Sequence, residues 1–303
     1  MATAAGDAIG VTAVDWSAEP GPEAFERFYR QITDRDDLPT IPEVARRLVM
    51  AVNRETTTGR ELAGLLSRDP TLVAKLLRLA NSAFFALARP VTDVGHAVTL
   101  LGFGAVRDLV MTLSLWGSLG DKDPATRERR TGLWIHCASV GAIAKTLAKK
   151  IGQIDPGEAL SAGLLHDVGK LLLGLRLGSM YWEMLDRGAA EGLESTAVEI
   201  ETFGVHHGQI GQYMLHLWAL PETLCRAVAQ HHDPLATVSP VGVTDVVNAA
   251  NTLVHLTAPE DEADAGAILE ILAPGRLRAD MWPVMRDELE DEQRQIAGFF
   301  DLD

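Results

Sequence analysis

Apolar residues recur along this chain at spacings of three and four, the period of a helix with one buried face, and almost nowhere alternate as in a half-buried strand. Pro22 to Ile32 places Phe25, Phe28 and Ile32 on one side and predicts a short helix. Thr40-Ile41-Pro42-Glu43 reads as a capping box, with Val44, Leu48, Val49 and Val52 behind it at helical spacing. Thr58-Gly59-Arg60-Glu61 repeats that device ahead of Leu62, Leu65 and Leu66. Asp69-Pro70 opens a third strong pattern carrying Leu72, Val73, Leu76, Leu77 and Ala80, Asp93 caps a fourth that Gly102 stops, and a fifth spans 105–116.

A polar break, Gly120-Asp121-Lys122-Asp123-Pro124, separates these from a second set expected at 127–150, 179–189, 194–203, 207–217, 221–231, 241–256 and 279–298. Within that set, Asp155-Pro156-Gly157-Glu158 starts a helix with an aspartate cap, a first-turn proline and a glutamate three residues past the cap. It ends at His166-Asp167, and Gly169 offers the chain a place to turn. The fold class is all-α, a two-part helical bundle. Its expected parts are a flexible arm at 1–20, a first helical part at 21–119, a second at 120–256 and a helical extension at 257–303. The patch Met281-Trp282-Pro283-Val284-Met285 suits either packing on the bundle or association.

Composition narrows the function. With 303 residues, 47% apolar and 23% charged, the chain has the balance of a soluble globular protein. Its 27 basic and 42 acidic residues give a net charge of −15, which argues against binding a nucleic-acid backbone. No apolar run approaches the ~20 residues of a membrane helix, and residues 1–10 lack a signal-peptide pattern. Cys137 and Cys225 form no CxxC pair and suit a reduced compartment, so a cytoplasmic location is expected.

The histidines are ordered. His136 falls mid-helix, His166 and Asp167 end a helix, His206-His207 open one, and His231-His232 close one. An aspartate beside an imidazole at the end of a buried helix is unfavourable unless compensated, either by a divalent metal or by a hydrogen-bonded structural pair. Helices that converge on imidazole and carboxylate suit iron, manganese, zinc or nickel, and such an ion polarises a phosphoryl oxygen. Lys170 would then steady a phosphate oxygen or protonate a leaving group, and otherwise it is an exposed lysine at a helix end. His231-His232 also read as a positive cap at a helix C-terminus. His96, His216 and His255 fit no cluster and read as structural or surface residues.

The order His136, His166-Asp167, His207, His231-His232 resembles the HD superfamily of metal-dependent phosphohydrolases. Over roughly residues 25 to 256 the chain resembles more specifically the HDOD family, HD-related output domains of bacterial signalling proteins. That likeness is carried by Leu38-Pro39-Thr40-Ile41-Pro42, the stretch from Asp69 to Ser82, Ala97 to Gly102, Leu133-Trp134-Ile135-His136, His207-Gly208-Gln209-Ile210-Gly211 and Trp218-Ala219-Leu220-Pro221. The resemblance implies a non-catalytic adaptor or regulatory module that works through protein partners, often in cyclic-di-GMP, motility or biofilm signalling. The HDOD likeness implies that the catalytic metal centre is lost, yet the chain keeps the positions that the HD resemblance marks as metal ligands, His136, His166, Asp167, His207, His231 and His232, with Lys170 as the associated lysine. Asn251 departs from the pattern, standing where active HD enzymes carry a metal-binding aspartate, and no GYP signature follows His231-His232. Gly132 stands where some HD-GYP enzymes offer a glutamate. With Asp167 as its only carboxylate, the expected site would hold a dication less tightly and neutralise less of its charge. Two alternatives stay open: a metal-dependent phosphohydrolase acting on a nucleotide or cyclic dinucleotide, and a cleft that binds a nucleotide without cleaving it.

Overall fold

A computed structural model of the protein describes residues 58–66, 69–81, 90–117, 124–218, 220–235, 240–256 and 261–288, and every regular element among them is a helix. The arm and the helices expected at 22–32 and behind Thr40 lie outside the described residues. At the head of α1 (Gly59–Leu66), Thr58 N donates to Glu61 Oε2 at 2.9 Å and Glu61 N to Thr58 Oγ1 at 3.3 Å, so the capping box forms. Asp69 Oδ1 accepts the Leu72 amide at 2.9 Å to start α2 (Pro70–Ala80). Asp93 Oδ1 accepts the His96 amide at 2.8 Å to start α3 (Val94–Leu101), which Gly102 ends at a φ of 85° before α4 (Phe103–Gly117). Leu66, Leu76, Ala97, Val106, Leu109 and Leu113 from these four helices share one core.

The second set begins with α5 (Pro124–Ile151), α6 (Pro156–Leu165) and α7 (Val168–Leu177). These three serve two cores. Trp134, Cys137, Leu160, Leu164 and Leu171 face the first, while Ile143, Leu147, Leu165 and Leu172 face the second. A helix buried on both sides is apolar nearly all round, as Ala159 to Leu165 is. Around the second core stand α8 (Ser179–Ala190), α9 (Ser195–Phe203), α10 (His207–Leu217), α11 (Glu222–Gln230), α12 (Val243–His255) and α13 (Glu262–Leu272). Trp282 and Met285 bury in that core too, so the 281–285 patch packs on the bundle. No helix among the described residues is long and apolar enough to cross a membrane.

Three expectations are corrected. Gly169 is not a turn; His166-Asp167 make the turn, and α7, which the sequence reading lacked, begins at Val168. Glycine is required at 169 because a Cβ there would lie 1.9 Å from the His207 carbonyl oxygen, so the start of α10 rests on the backbone of α7. The second missed helix, α13, hides its buried Ala265, Leu269 and Leu272 behind an acidic start that looks like a solvated face. Glu158 does not complete a capping box but accepts from the Thr223 hydroxyl of α11, while Asp155 alone caps α6. A second close approach matters for the site. A Cβ on Gly163 would lie 2.6 Å from Gly141 Cα, so α6 meets α5 backbone to backbone and brings His166 against His136.

Candidate metal centre

Five imidazoles from four places in the chain turn their Nε2 atoms toward one carboxylate, that of Asp167. Toward Oδ2 stand His166 Nε2 at 3.4 Å and His136 Nε2 at 3.6 Å; toward Oδ1 stand His207 Nε2 at 3.1 Å and His231 Nε2 at 3.5 Å. His232 Nε2 lies 3.1 Å from His207 Nε2, His231 Nε2 lies 3.2 Å from it, and His136 and His166 meet Nε2 to Nε2 at 3.2 Å. Two donor groups result, Asp167-His207-His231-His232 and His136-His166-Asp167, with Asp167 in both. His166, Asp167, His207 and His231 are buried, and His232 and His136 form the more open rim.

In His166, His207 and His231 the other ring nitrogen is spoken for, which fixes where the lone pair points. His166 Nδ1 lies 2.7 Å from the Gly163 carbonyl oxygen and His231 Nδ1 2.8 Å from that of Val228. A carbonyl oxygen only accepts, so these Nδ1 atoms carry the proton and, in the neutral rings, Nε2 is a bare lone pair. His207 Nδ1 and backbone N both sit 2.7 Å from Glu199 Oε2, and Tyr181 Oη donates to Glu199 Oε1 at 2.5 Å. Lone pairs therefore face lone pairs and a carboxylate across about 3 Å. Asp167 Oδ1 is buried and receives no hydrogen bond from any of the described residues, despite the two imidazoles beside it. Such an array is repulsive without a cation. The 3.1–3.2 Å Nε2 separations match neighbouring ligands around an ion with bonds of ~2.1 Å, whose spacing is about 3.0–3.4 Å. The residues present fit a divalent metal.

The electrostatics agree with that fit. Burial, with His166 adding, lowers His136 to about 3, and burial with His207 adding lowers His232 to about 3, so both rings are neutral ligands at neutral pH. Burial likewise holds His231 well below the usual range. Asp167 resists the upward push of its burial because Lys170, His166 and His207 favour the carboxylate, and it lies well below the ordinary value. His207 is raised: burial and Lys170 oppose its charge, but Glu199 and Asp167 on either side outweigh them.

All six residues expected as ligands come together. Lys170 does not sit free at a helix end. Its Nζ donates to Asp167 Oδ2 at 3.0 Å with only 16% of the side chain exposed, so it is a counter-ion of the cage. His231 and His232 follow α11 but turn into the cage instead of capping the helix for solvent. Two members were not anticipated. Glu199 is a second buried carboxylate, bound to His207 rather than offered to the ion, and partners of this type orient a ligating histidine and raise its basicity. His255, read as outside any cluster, stacks on His136 with ring centres 5.2 Å apart. Asn251 lies on α12 one turn before His255 and one after Asn248, whose Nδ2 donates to the Asp233 carbonyl. Its buried Oδ1 has no hydrogen-bond partner among the described residues, a second orphaned oxygen on the helix whose His255 stacks on His136.

The HDOD domain family model matches residues 38–234. An uncharacterised protein of Treponema pallidum (strain Nichols) is 26% identical over 204 residues, 67% of this chain, and the chain spans only 39% of that relative. A crystal structure of an HDOD domain protein of unknown function from Geobacter sulfurreducens superimposes with a TM-score of 0.70 at 23% identity, covering 92% of this chain and 98% of that one. A Shewanella amazonensis SB2B protein provisionally named a phosphohydrolase gives a TM-score of 0.70 at 22% identity, over 90% of this chain and 97% of its own. A Marinobacter aquaeolei VT8 protein provisionally named for signal transduction gives 0.64 at 23% identity, over 92% and 66%. At these identities the structural likeness establishes the fold.

Proposed function

The chain belongs to the HDOD family, and from that premise we propose that it is a metal-binding regulatory module of bacterial signalling. In this reading the cage around Asp167 holds a divalent transition metal, iron, manganese, zinc or nickel, and the protein acts in the cytoplasm through contacts with a signalling partner. The observation that carries the metal is the buried Asp167 Oδ1, without a hydrogen-bond donor and ringed by imidazole Nε2 atoms. Regulation rather than turnover is favoured by charge. Among the six ligands Asp167 is the only anion, Asn251 offers a neutral oxygen, and Glu199 reaches the metal only through His207. Two dications would leave the cage strongly positive, which weakens the second ion in particular.

One observation favours a second reading, a phosphohydrolase acting on a nucleotide or cyclic dinucleotide. Asp167 belongs to both donor groups, the arrangement of a carboxylate bridging two ions, and Lys170 stands at its rim. A bound metal would polarise a phosphoryl oxygen there, and Lys170 would place its ammonium beside the phosphate.

Metal analysis of the full chain, purified without chelators, together with hydrolysis assays on mono- and diesters, separates these readings. At least one equivalent of transition metal with no turnover is expected. Turnover that vanishes with Asp167→Ala would replace the regulatory reading by the hydrolytic one. Metal-free protein that takes up none of the four metals would overturn both.

A further inference from the structure

We infer that the protein carries a second metal site, of zinc type, formed by His216, Glu222 and Cys225 at the end of the α10–α11 hairpin opposite the cage. His207 opens α10 beside His231 and His232 at the close of α11, so the hairpin is antiparallel and its turn lies roughly 14 Å along α10 from the cage. At that turn the three potential ligand atoms lie within 4.8 Å of one another. His216 Nε2 is 3.7 Å from Glu222 Oε2, and the other Glu222 oxygen faces Arg226 Nη2 at 4.0 Å, which orients the carboxylate toward the histidine. Cys225 is one turn along the same side of α11, buried, its Sγ donating weakly to the Leu220 carbonyl at 3.7 Å. The histidine and glutamate side chains are 46% and 59% exposed and lie over the thiol, free to close on an ion by about 1 Å.

The donor set selects the metal. A thiolate and a carboxylate carry two negative charges, which neutralise a dication, and sulfur beside imidazole favours zinc over manganese or magnesium. His216 occupies the last turn of α10, where the helix dipole favours positive charge. Sulfur binds the ion as thiolate, so the ion displaces the Cys225 thiol proton and uptake releases one proton to solvent. Three protein ligands leave a fourth position for water or for a donor from a partner. An ion here would tie the end of α10 to the start of α11 and hence hold the spacing of the two helices that present His207, His231 and His232.

Cobalt(II) titration of the full chain tests the site, because a thiolate ligand gives a near-ultraviolet sulfur-to-cobalt charge-transfer band that an all-nitrogen-and-oxygen cage does not. With the cage already filled, one further equivalent is expected to bring up the band, and Cys225→Ala to abolish it. His216→Ala and Glu222→Gln, at exposed positions that leave the fold intact, should each weaken cobalt binding by at least about tenfold, the loss seen even for partners outside the ligand set. Asp167→Ala and Cys137→Ser should leave the band unchanged, so failure here and failure of the cage are seen separately. No band, a band that persists in Cys225→Ala, or full affinity in both exposed variants would overturn the site and leave Cys225 a packed core residue.

Discussion

The two halves of the cage share Asp167 and little else. On the His207 side, three imidazoles converge, one anchored by Glu199, which is itself held by Tyr181, and another by the Val228 carbonyl. On the His136 side only two imidazoles are present, one anchored by the Gly163 carbonyl, and Lys170 holds the Asp167 oxygen they face. Ligand count, outer support and competition all point the same way, so the two positions should fill in order, His207 side first. A binuclear arrangement in the amino-acid order is thus compatible with a protein that holds one ion tightly and a second poorly.

That comparison can be broken outright. Asp167→Ala removes the one residue common to both halves, and no metal should remain on either side by elemental analysis. His136→Ala is more discriminating. It should lower the stoichiometry under saturating metal from two ions to one while leaving the tighter affinity intact, and equal loss at both positions would contradict the ordering.

Smaller effects sharpen it. Glu199→Gln keeps the size of the side chain but loses the charge behind His207, and the tighter affinity should fall by about 10–100-fold in calorimetry without loss of the weaker one. Asn251→Asp should act in the opposite direction, supplying an anion one turn before His255, which stacks on His136, and strengthening the second ion by about tenfold or more. No gain would mean that the Asn251 oxygen does not reach the metal.

Metal-free protein should also report the cage through pH. His136 and His232 have folded values lowered to about 3 from 6.5, so below pH 6.5 the unfolded chain takes up protons that the native rings refuse. Stability should fall from pH 6.5 toward about 3, with roughly two or more protons bound on unfolding, His231 adding to the effect. His207 is raised, so its contribution is full below 6.5 and is lost as pH rises through its folded value. The optimum of the metal-free protein is therefore expected close to pH 6.5, and chemical denaturation across pH measures it.

Much of this architecture was legible in the chain. Asp69, Asp93 and the Thr58-Glu61 pair start helices where their types and spacings say they should, because capping is a local transaction between neighbours. The order of His136, His166-Asp167, His207 and His231-His232 likewise named the side chains that gather around the Asp167 carboxylate. Glu199 was not legible. It stands two residues from Glu201 with nothing local to tell them apart, yet one is fully buried against His207 and the other is exposed. Gly169 was misread for the same reason, since the atom that requires glycine there is the His207 carbonyl oxygen, 38 residues away.

By itself, then, the sequence determined the all-α class, the helix starts and which side chains were candidates for the cage, all of which depend on neighbours within a turn or two. Tertiary structure alone decided which nitrogen of each ring faces inward, which carboxylate backs His207, and that Lys170 answers Asp167. Those depend on where α5, α7, α9 and α10 meet, and close backbone approaches at Gly163 and Gly169 set that meeting.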